Sequence, residues 1–303
     1  MTGYRSASYA AAVARGGEVL PLPRSGGVLI RRAIPPGSGL TDAMAPYPFL
    51  CCSDWSALPD DLAALPPGIV SVTAVTDPFA ELREDDLARG FNAMARPYKQ
   101  HFIIRLDRPL ESFADPRKIA YARGALRKAD VECCADACAH LDDLIRLYGV
   151  LVNRHGISGA GLMDEPSLRA QAAIPGFRLF RAVRQDRTIA MVAIIEHDDT
   201  GYFHFILADD EGYRCSASYA LVRVIADTYR ARGFRALSIG AGAGAFGTGE
   251  DGLTAFKRAW SSGSRTAYLC GHVVDRDAYE RLASARGLSI SSYFPAYRSG
   301  EFG

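Results

Sequence analysis

Phe177-Arg178-Leu179-Phe180-Arg181-Ala182-Val183, then Thr188 through His197, then Gly201-Tyr202-Phe203-His204-Phe205-Ile206-Leu207-Ala208 follow one another with only short breaks. Each run is rich in β-branched and aromatic residues. The breaks, Arg184-Gln185-Asp186-Arg187 and Asp198-Asp199-Thr200, are turn-forming, so the runs read as an antiparallel meander. Downstream, Tyr219, Ala220, Val222, Ile225, Ala226 and Tyr229 recur at helical spacing over Ser216–Arg232, and Gly233 stops that helix. Ala236–Ile239 is a short buried strand running into a glycine-bearing stretch, 240–249. Gly252–Trp260 reads as a helix, Thr266–Val274 as a strand, and Asp275–Arg286 as a helix capped by Asp275. Upstream, Leu144, Leu147, Tyr148 and Leu151 mark an amphipathic helix over Leu141–His155, with a second helix over Pro166–Ala173. This order predicts an α/β (α+β) unit: a mixed, mostly antiparallel central sheet flanked by helices.

The first half follows a looser version of the same order. Gly17–Pro23, Gly27–Ile34, Ile69–Val75 and His101–Leu106 read as strands, and Asp54 or Ser56 caps a helix that Pro66-Pro67 ends. Glu111–Lys128 reads as helical, with Asp115 capping and Pro116 in a first turn. A pseudo-repeat of one unit predicts two tandem domains, residues 1–138 and 139–303, which suits a length of 303 residues. The tail from Ser289 on fits no pattern.

Apolar residues make up 49% and charged residues 23%, which excludes a disordered scaffold, and a net charge of +1 excludes a globally basic nucleic-acid coat. No secretory signal or membrane-spanning run is legible, so a cytoplasmic location is expected. The seven cysteines read as reduced thiols. Cys133-Cys134-x3-Cys138-x-His140 lacks zinc-site spacing, so no metal is expected.

The element order resembles the GNAT acyltransferase fold, and three stretches sharpen it toward tandem GNAT proteins of the Fem family of tRNA-dependent aminoacyltransferases. One runs from His101-Phe102-Ile103-Ile104-Arg105-Leu106 to Arg117-Lys118, Arg123 and Arg127-Lys128. A second is Leu144-Ile145-Arg146-Leu147-Tyr148 with Asn153-Arg154-His155-Gly156. The third is Asp251-Gly252-Leu253-Thr254-Ala255-Phe256-Lys257-Arg258. The sequence lacks the long charged helical hairpin that some peptidoglycan-bridge members of the family insert in the second lobe, and carries Ala259-Trp260-Ser261 where Phe-Gly is usual. These departures leave the acceptor open.

The resemblance implies that Lys257 meets the developing oxyanion, with Phe256 and Arg258 beside it at the tRNA acceptor end. A plain surface lysine on a short helix is the competing reading. His204, on a strand expected to border the acyl cleft and to share a face with Tyr202 and Ile206, is the candidate base; a satisfied half-buried histidine is the alternative. Asp210, between Asp209 and Glu211, is placed to orient an ammonium group, followed by Tyr213 and Arg214, unless these acids form a solvated turn. Arg154 is expected to bind an anionic acceptor group.

A CoA-using relative places basic and glycine residues before the helix at Ser216; here Glu211–Tyr219 holds one glycine, with Arg214, Ser216 and Ser218 able to grip one phosphate. The glycine stretch further on contains no Walker motif and reads as a loop or a closing lid. The donor expected is therefore aminoacyl-tRNA, with no cofactor. Arg117, Lys118, Arg123, Arg127 and Lys128 would track its phosphates from one helix, and Phe246 or Trp260 would stack a base. A solvated helix face is the commoner explanation of such a run. The acceptor expected is an amine of a small molecule or peptide precursor. An acyl-CoA-dependent N-acyltransferase and a non-catalytic binding module are the alternatives.

Overall fold

A computed structural model describes residues 2–34, 38–157, 159, 162–242, 252–287 and 293–301. The chain runs α1 (Ala7–Val13), β1 (Glu18–Leu22), β2 (Gly27–Ala33), β3 (Thr41–Met44), α2 (Leu58–Ala63), β4 (Ile69–Val75), α3 (Glu84–Gly90), β5 (Met94–Arg105), α4 (Pro116–Ala125) and β6 (Asp130–Cys133). It continues through α5 (Leu141–His155), α6 (Glu165–Ala172), β7 (Phe177–Arg184), β8 (Arg187–His197), β9 (Thr200–Ala208) and α7 (Asp210–Cys215). Then come α8 (Ala217–Ala231), β10 (Ala236–Ala241), α9 (Gly252–Trp260), β11 (Gly263–Val273) and α10 (Arg276–Ala285).

Among the described residues the strands join one sheet in the order β1-β2-β3-β4-β11-β5-β10-β9-β8-β7-β6. The expected α/β class, a large mixed sheet flanked by helices, is the observed one. Each half contributes a mostly antiparallel sheet, and the sheets are continuous across the β5–β10 pair. Strands cross the 138/139 joint in both directions: β6 precedes it yet pairs with β7, and β11 follows it yet lies between β4 and β5.

The period-2 burial of the strands splits the core between the two sheet faces. Phe102, Ile104, Phe180, Val192 and Ile239 meet α4, α8 and α9 on one face. Tyr4, Phe49, Leu179, Met191, Tyr202 and Leu207 pack with α1, α5 and α6 on the other. The capping aspartates work as read: Asp275 accepts from the Ala278 N–H, Asp115 from the Arg117 N–H and Asp54 from the Ser56 N–H.

The helix expected over Glu111–Lys128 is shorter. Pro109 and Pro116 break it into a single 3-10 turn at Leu110–Ser112 and the helix α4, so Arg127 and Lys128 lie in the turn beyond it rather than on Arg123's face. The tail without a pattern forms a 3-10 turn, Ala296–Arg298, docked on the first half through Arg298 and Asp42. None of the helices described is long and apolar enough to cross a membrane.

Candidate active site

β9 and β10 run parallel but pair only over Thr200–Tyr202 and Ala236–Ser238. Beyond these residues the strands part, while β10 stays bonded to β5. Lys257 lies at this opening. α9 carries Trp260 into the core, fully buried, and three residues earlier on that side stands Lys257, only 8% exposed. The Lys257 ammonium donates to the Ala241 carbonyl at the end of β10, 2.6 Å away. Gly240 makes room for it: the residue has φ +81°, and a Cβ there would sit 2.9 Å from Lys257 Nζ. Gly240→Ala is therefore expected to displace the ammonium and to strain the backbone by roughly 1–2 kcal/mol. A lowered midpoint in urea unfolding together with a larger loss of turnover would check this.

Phe256, half-buried, meets the Tyr219 ring edge to face at 5.0 Å, and Tyr219 meets Tyr121 at 5.7 Å. Lys118 Nζ lies 5.4 Å from the Tyr219 centroid and 5.3 Å from that of Tyr121. α4, α8 and α9 thus share a partly exposed surface cluster of three aromatic rings with one lysine, Lys118, beside two of them. Of the five basic residues expected to track phosphate, Lys118 belongs to this surface. Arg117 is paired with Asp115 at 3.1 Å, while Arg123, Arg127 and Lys128 are exposed. Tyr121 and Tyr219 do not stand out as site residues in the sequence, because their spacing matches ordinary helix packing; the signal is a tyrosine one turn from Lys118.

His204 has a different setting from the one expected. The β8–β9 register slips between Ala193 and Ile194, which leaves His204 as the extra residue of a bulge. Alternation therefore inverts: Tyr202 and Phe205 face the Tyr4 side, and Ile206 packs on the opposite face. Tyr4 donates its hydroxyl hydrogen to His204 Nδ1 (3.1 Å), and His204 Nε2–H donates to Gln171 Oε1 (2.7 Å). With both ring nitrogens engaged, the geometry is that of a satisfied histidine. Burial pushes its pKa down to about 3. Tyr202 is buried too, and its hydroxyl lies 2.9 and 3.0 Å from the two Asp77 oxygens.

Arg154, Asp210 and Tyr213, expected to meet separate groups of the substrates, engage one another instead. Arg154 is 2.5 Å from Asp210 Oδ1 and lies over the Tyr213 ring at 4.2 Å. Asp209 caps α7 and pairs with Arg187, and Glu211 pairs with Arg184, so these acids hold structure rather than a ligand's ammonium. α7 occupies the segment where a CoA-using relative would carry its phosphate loop. Its Gly212 packs so closely on β8 that a Cβ would lie 2.3 Å from the Ile189 carbonyl oxygen. Arg214 is exposed, while Ser216, in a left-handed conformation (φ +58°), and Ser218 open α8. Trp260 has no exposed face on which a base could stack, contrary to expectation. Arg258 is exposed on α9; Phe246 and Asp251 lie outside the described residues.

Two clefts, about 720 and 640 Å³, adjoin the other end of β10, around Arg235 and Phe79. Three acids of the larger one pair with arginines: Asp198 with Arg5, Asp199 with Arg235, Asp86 with Arg83. Cleft size alone does not mark the candidate chemistry. Lys257 and the parting strands do.

Another histidine, in sequence one residue of an apolar strand, lies near the opening. His101 on β5 is 8% exposed, and burial together with Lys257 and Lys99 pushes its pKa down to about 3. Both His101 and His204 stay neutral when folded but take protons near pH 6.5 when unfolded. Stability from this source is complete above pH 6.5 and is lost as pH falls toward 3, by up to about 1.4 kcal/mol per pH unit for each histidine. Urea unfolding at stepped pH between 7 and 5, in wild type and in His204→Gln, is expected to show this slope and its partial loss.

Residues 115–258 match the family model described as an acetyltransferase (GNAT) domain. No curated protein matches the chain. Among solved structures, FemX superposes with a TM-score of 0.64 at 13% identity, over 91% of this chain and 92% of that one. The chain carries a Fem-like GNAT fold. The C-terminal domain of a protein assigned as a lysylphosphatidylglycerol synthetase, from Agrobacterium fabrum, shares this fold (TM-score 0.58, 14% identity, 96% and 95% covered). So does L-PGS from Bacillus licheniformis (0.55, 12%, 95% and 98%). In this fold the parted β9–β10 pair, α8 and the Lys257 helix α9 are parts of the GNAT half.

Proposed function

We propose that this chain moves an aminoacyl group from a charged tRNA to an amine, forming an amide. The observation that carries the reading is the Lys257 ammonium, withdrawn from solvent and oriented by the Ala241 carbonyl where β9 and β10 part. The amine nitrogen attacks the ester carbonyl carbon, and charge builds on the carbonyl oxygen beside Lys257. The bond to the terminal ribose oxygen then breaks, and that oxygen takes the proton the amine gives up. A preorganised donor at the oxyanion is commonly the largest catalytic contribution. Supporting the tRNA donor, Lys118, Tyr121, Tyr219 and Phe256 combine charge and ring faces in the way single-stranded nucleic acid is gripped. The likeness of the fold to FemX and to L-PGS points the same way, as does helix α7 standing in the place of a pyrophosphate loop.

The test is incubation with candidate amines and charged tRNA pools, intact or RNase-treated, with mass detection of a new amide. Product that survives RNase, or that needs only acyl-CoA, would favour the N-acyltransferase reading and overturn this one. As a companion prediction, Lys118→Gln combined with Arg123→Gln lowers tRNA affinity and reduces the salt slope by about two charges. Unchanged affinity would return α4 to an ordinary solvated face.

A further inference from the structure

On the sheet face opposite α9, β5 is bulged: Lys99 pairs with Ala267 and Pro97 with Tyr268, leaving Tyr98 as the extra residue. Bulges re-aim neighbouring side chains, and Lys99 and His101 follow it on one face of the strand. His101 is cross-strand partner to Ala241, the residue whose carbonyl holds Lys257, and its ring lies edge-on to Phe49 at 5.1 Å. Its Nδ1 is buried with no hydrogen-bond partner among the described residues. Lys99 is half-buried over the Tyr98 ring at 5.4 Å, and among the described residues no carboxylate pairs with it. Arg265, opposite His101 on β11, lies over Phe79 instead. Among the described residues, a withdrawn cation and a buried unpartnered imidazole nitrogen thus follow one another on one strand face with no acid paired to either, and their desolvation costs are ones that a bound anion would offset.

We propose that Lys99 and His101 form a subsite for an anionic group, a carboxylate or phosphate, carried by the acceptor close to its reactive amine. The Lys99 ammonium supplies charge, and His101 donates Nδ1–H to the anion. Assignment of the group to the acceptor rests on the aminoacyl-transfer reading. It follows from the face: the aromatic and basic surface offered to the donor is on the α9 side, and this pair is on the Phe49 side. The anion site itself requires no transfer activity. Binding also reverses the local field, since an anion next to His101 favours the protonated ring that the two lysines now disfavour.

The full chain, labelled at histidine ring nitrogens, is titrated with sodium phosphate and then with succinate, the His101 resonance being assigned through His101→Asn. The expected result is a saturable His101 shift in the millimolar range and a raised His101 pKa. Lys99→Gln is expected to weaken that binding about tenfold or more while Lys99→Arg largely keeps it. An RNA hairpin ending in single-stranded CCA, added as competitor, should leave the shift in place. A hairpin that displaces phosphate would give the anion to the donor and overturn the assignment. Absence of a saturable shift, or equal binding by Lys99→Gln with wild-type thermal stability, would overturn the subsite itself. Loss of transfer with the titration intact would count against the proposed function alone.

Discussion

Lys257→Met lowers kcat/KM for amide formation by about 10²–10³, the usual cost of removing one donor at a developing oxyanion. The loss falls on kcat, because the ammonium is needed most when the carbonyl oxygen carries charge. Methionine keeps the volume of the stem against Gly240 but leaves the Ala241 carbonyl without this donor, so a modest drop in stability of about 1–3 kcal/mol accompanies it. Lys257→Arg does not rescue: the planar fork is larger than the space beside Gly240 and cannot present a compact point charge. Single-turnover measurements with charged tRNA separate chemistry from binding. Turnover unchanged in Lys257→Met would remove the proposed chemistry and leave a binding module.

Arg298→Met destabilises the fold by about 3 kcal/mol, because it removes the two close charged hydrogen bonds of a buried carboxylate, whose remaining cation among the described residues is Arg32, with Nε at 3.6 Å. Asp42 is 1% exposed, and Arg298 reaches it with Nε at 2.5 Å and Nη2 at 2.8 Å, while the same Nη2 donates to the Ala33 carbonyl at 2.7 Å. Tyr297 adds its hydroxyl against Ser71 at 2.7 Å and Asp42 at 3.3 Å. Together these fasten the C-terminal turn to β3 and β4, more than 220 residues away in the chain. The double replacement Arg298→Met with Asp42→Leu is expected to recover most of the loss, since neither charge is then left unpaired. Urea denaturation of the single and double variants measures both effects. Equal stability of wild type and Arg298→Met would mean that the turn is not part of the cooperative unit.

Short-range patterns carried most of the secondary structure. The alternation in 177–208, the four-residue recurrence in Leu141–His155 and the capping aspartates at 115 and 275 all appear where local chemistry put them. These signals come from backbone and neighbour interactions within a few residues. Residue 204 shows where such reading stops. Strict alternation placed it with Ile206, and one extra residue in the ladder reversed that, because register belongs to the pair β8–β9 and not to either strand. His101 was invisible as a site for a related reason: among apolar strand residues it differs only through what lies across the sheet.

What the sequence alone determined about this protein is its inventory: the α/β elements, their order, and a lysine at the last turn of α9. Local physics suffices for that, since hydrophobic period, caps and turn residues act over one or two turns of chain. The tertiary structure decided which residues meet. It inserted β11 between β4 and β5, withdrew Lys257 beside Ala241, engaged both nitrogens of His204, and left a nitrogen of His101 without a partner among the described residues. Those outcomes depend on burial and pairing between segments far apart in the chain, and desolvation gives each polar group its meaning only once its neighbours are in place.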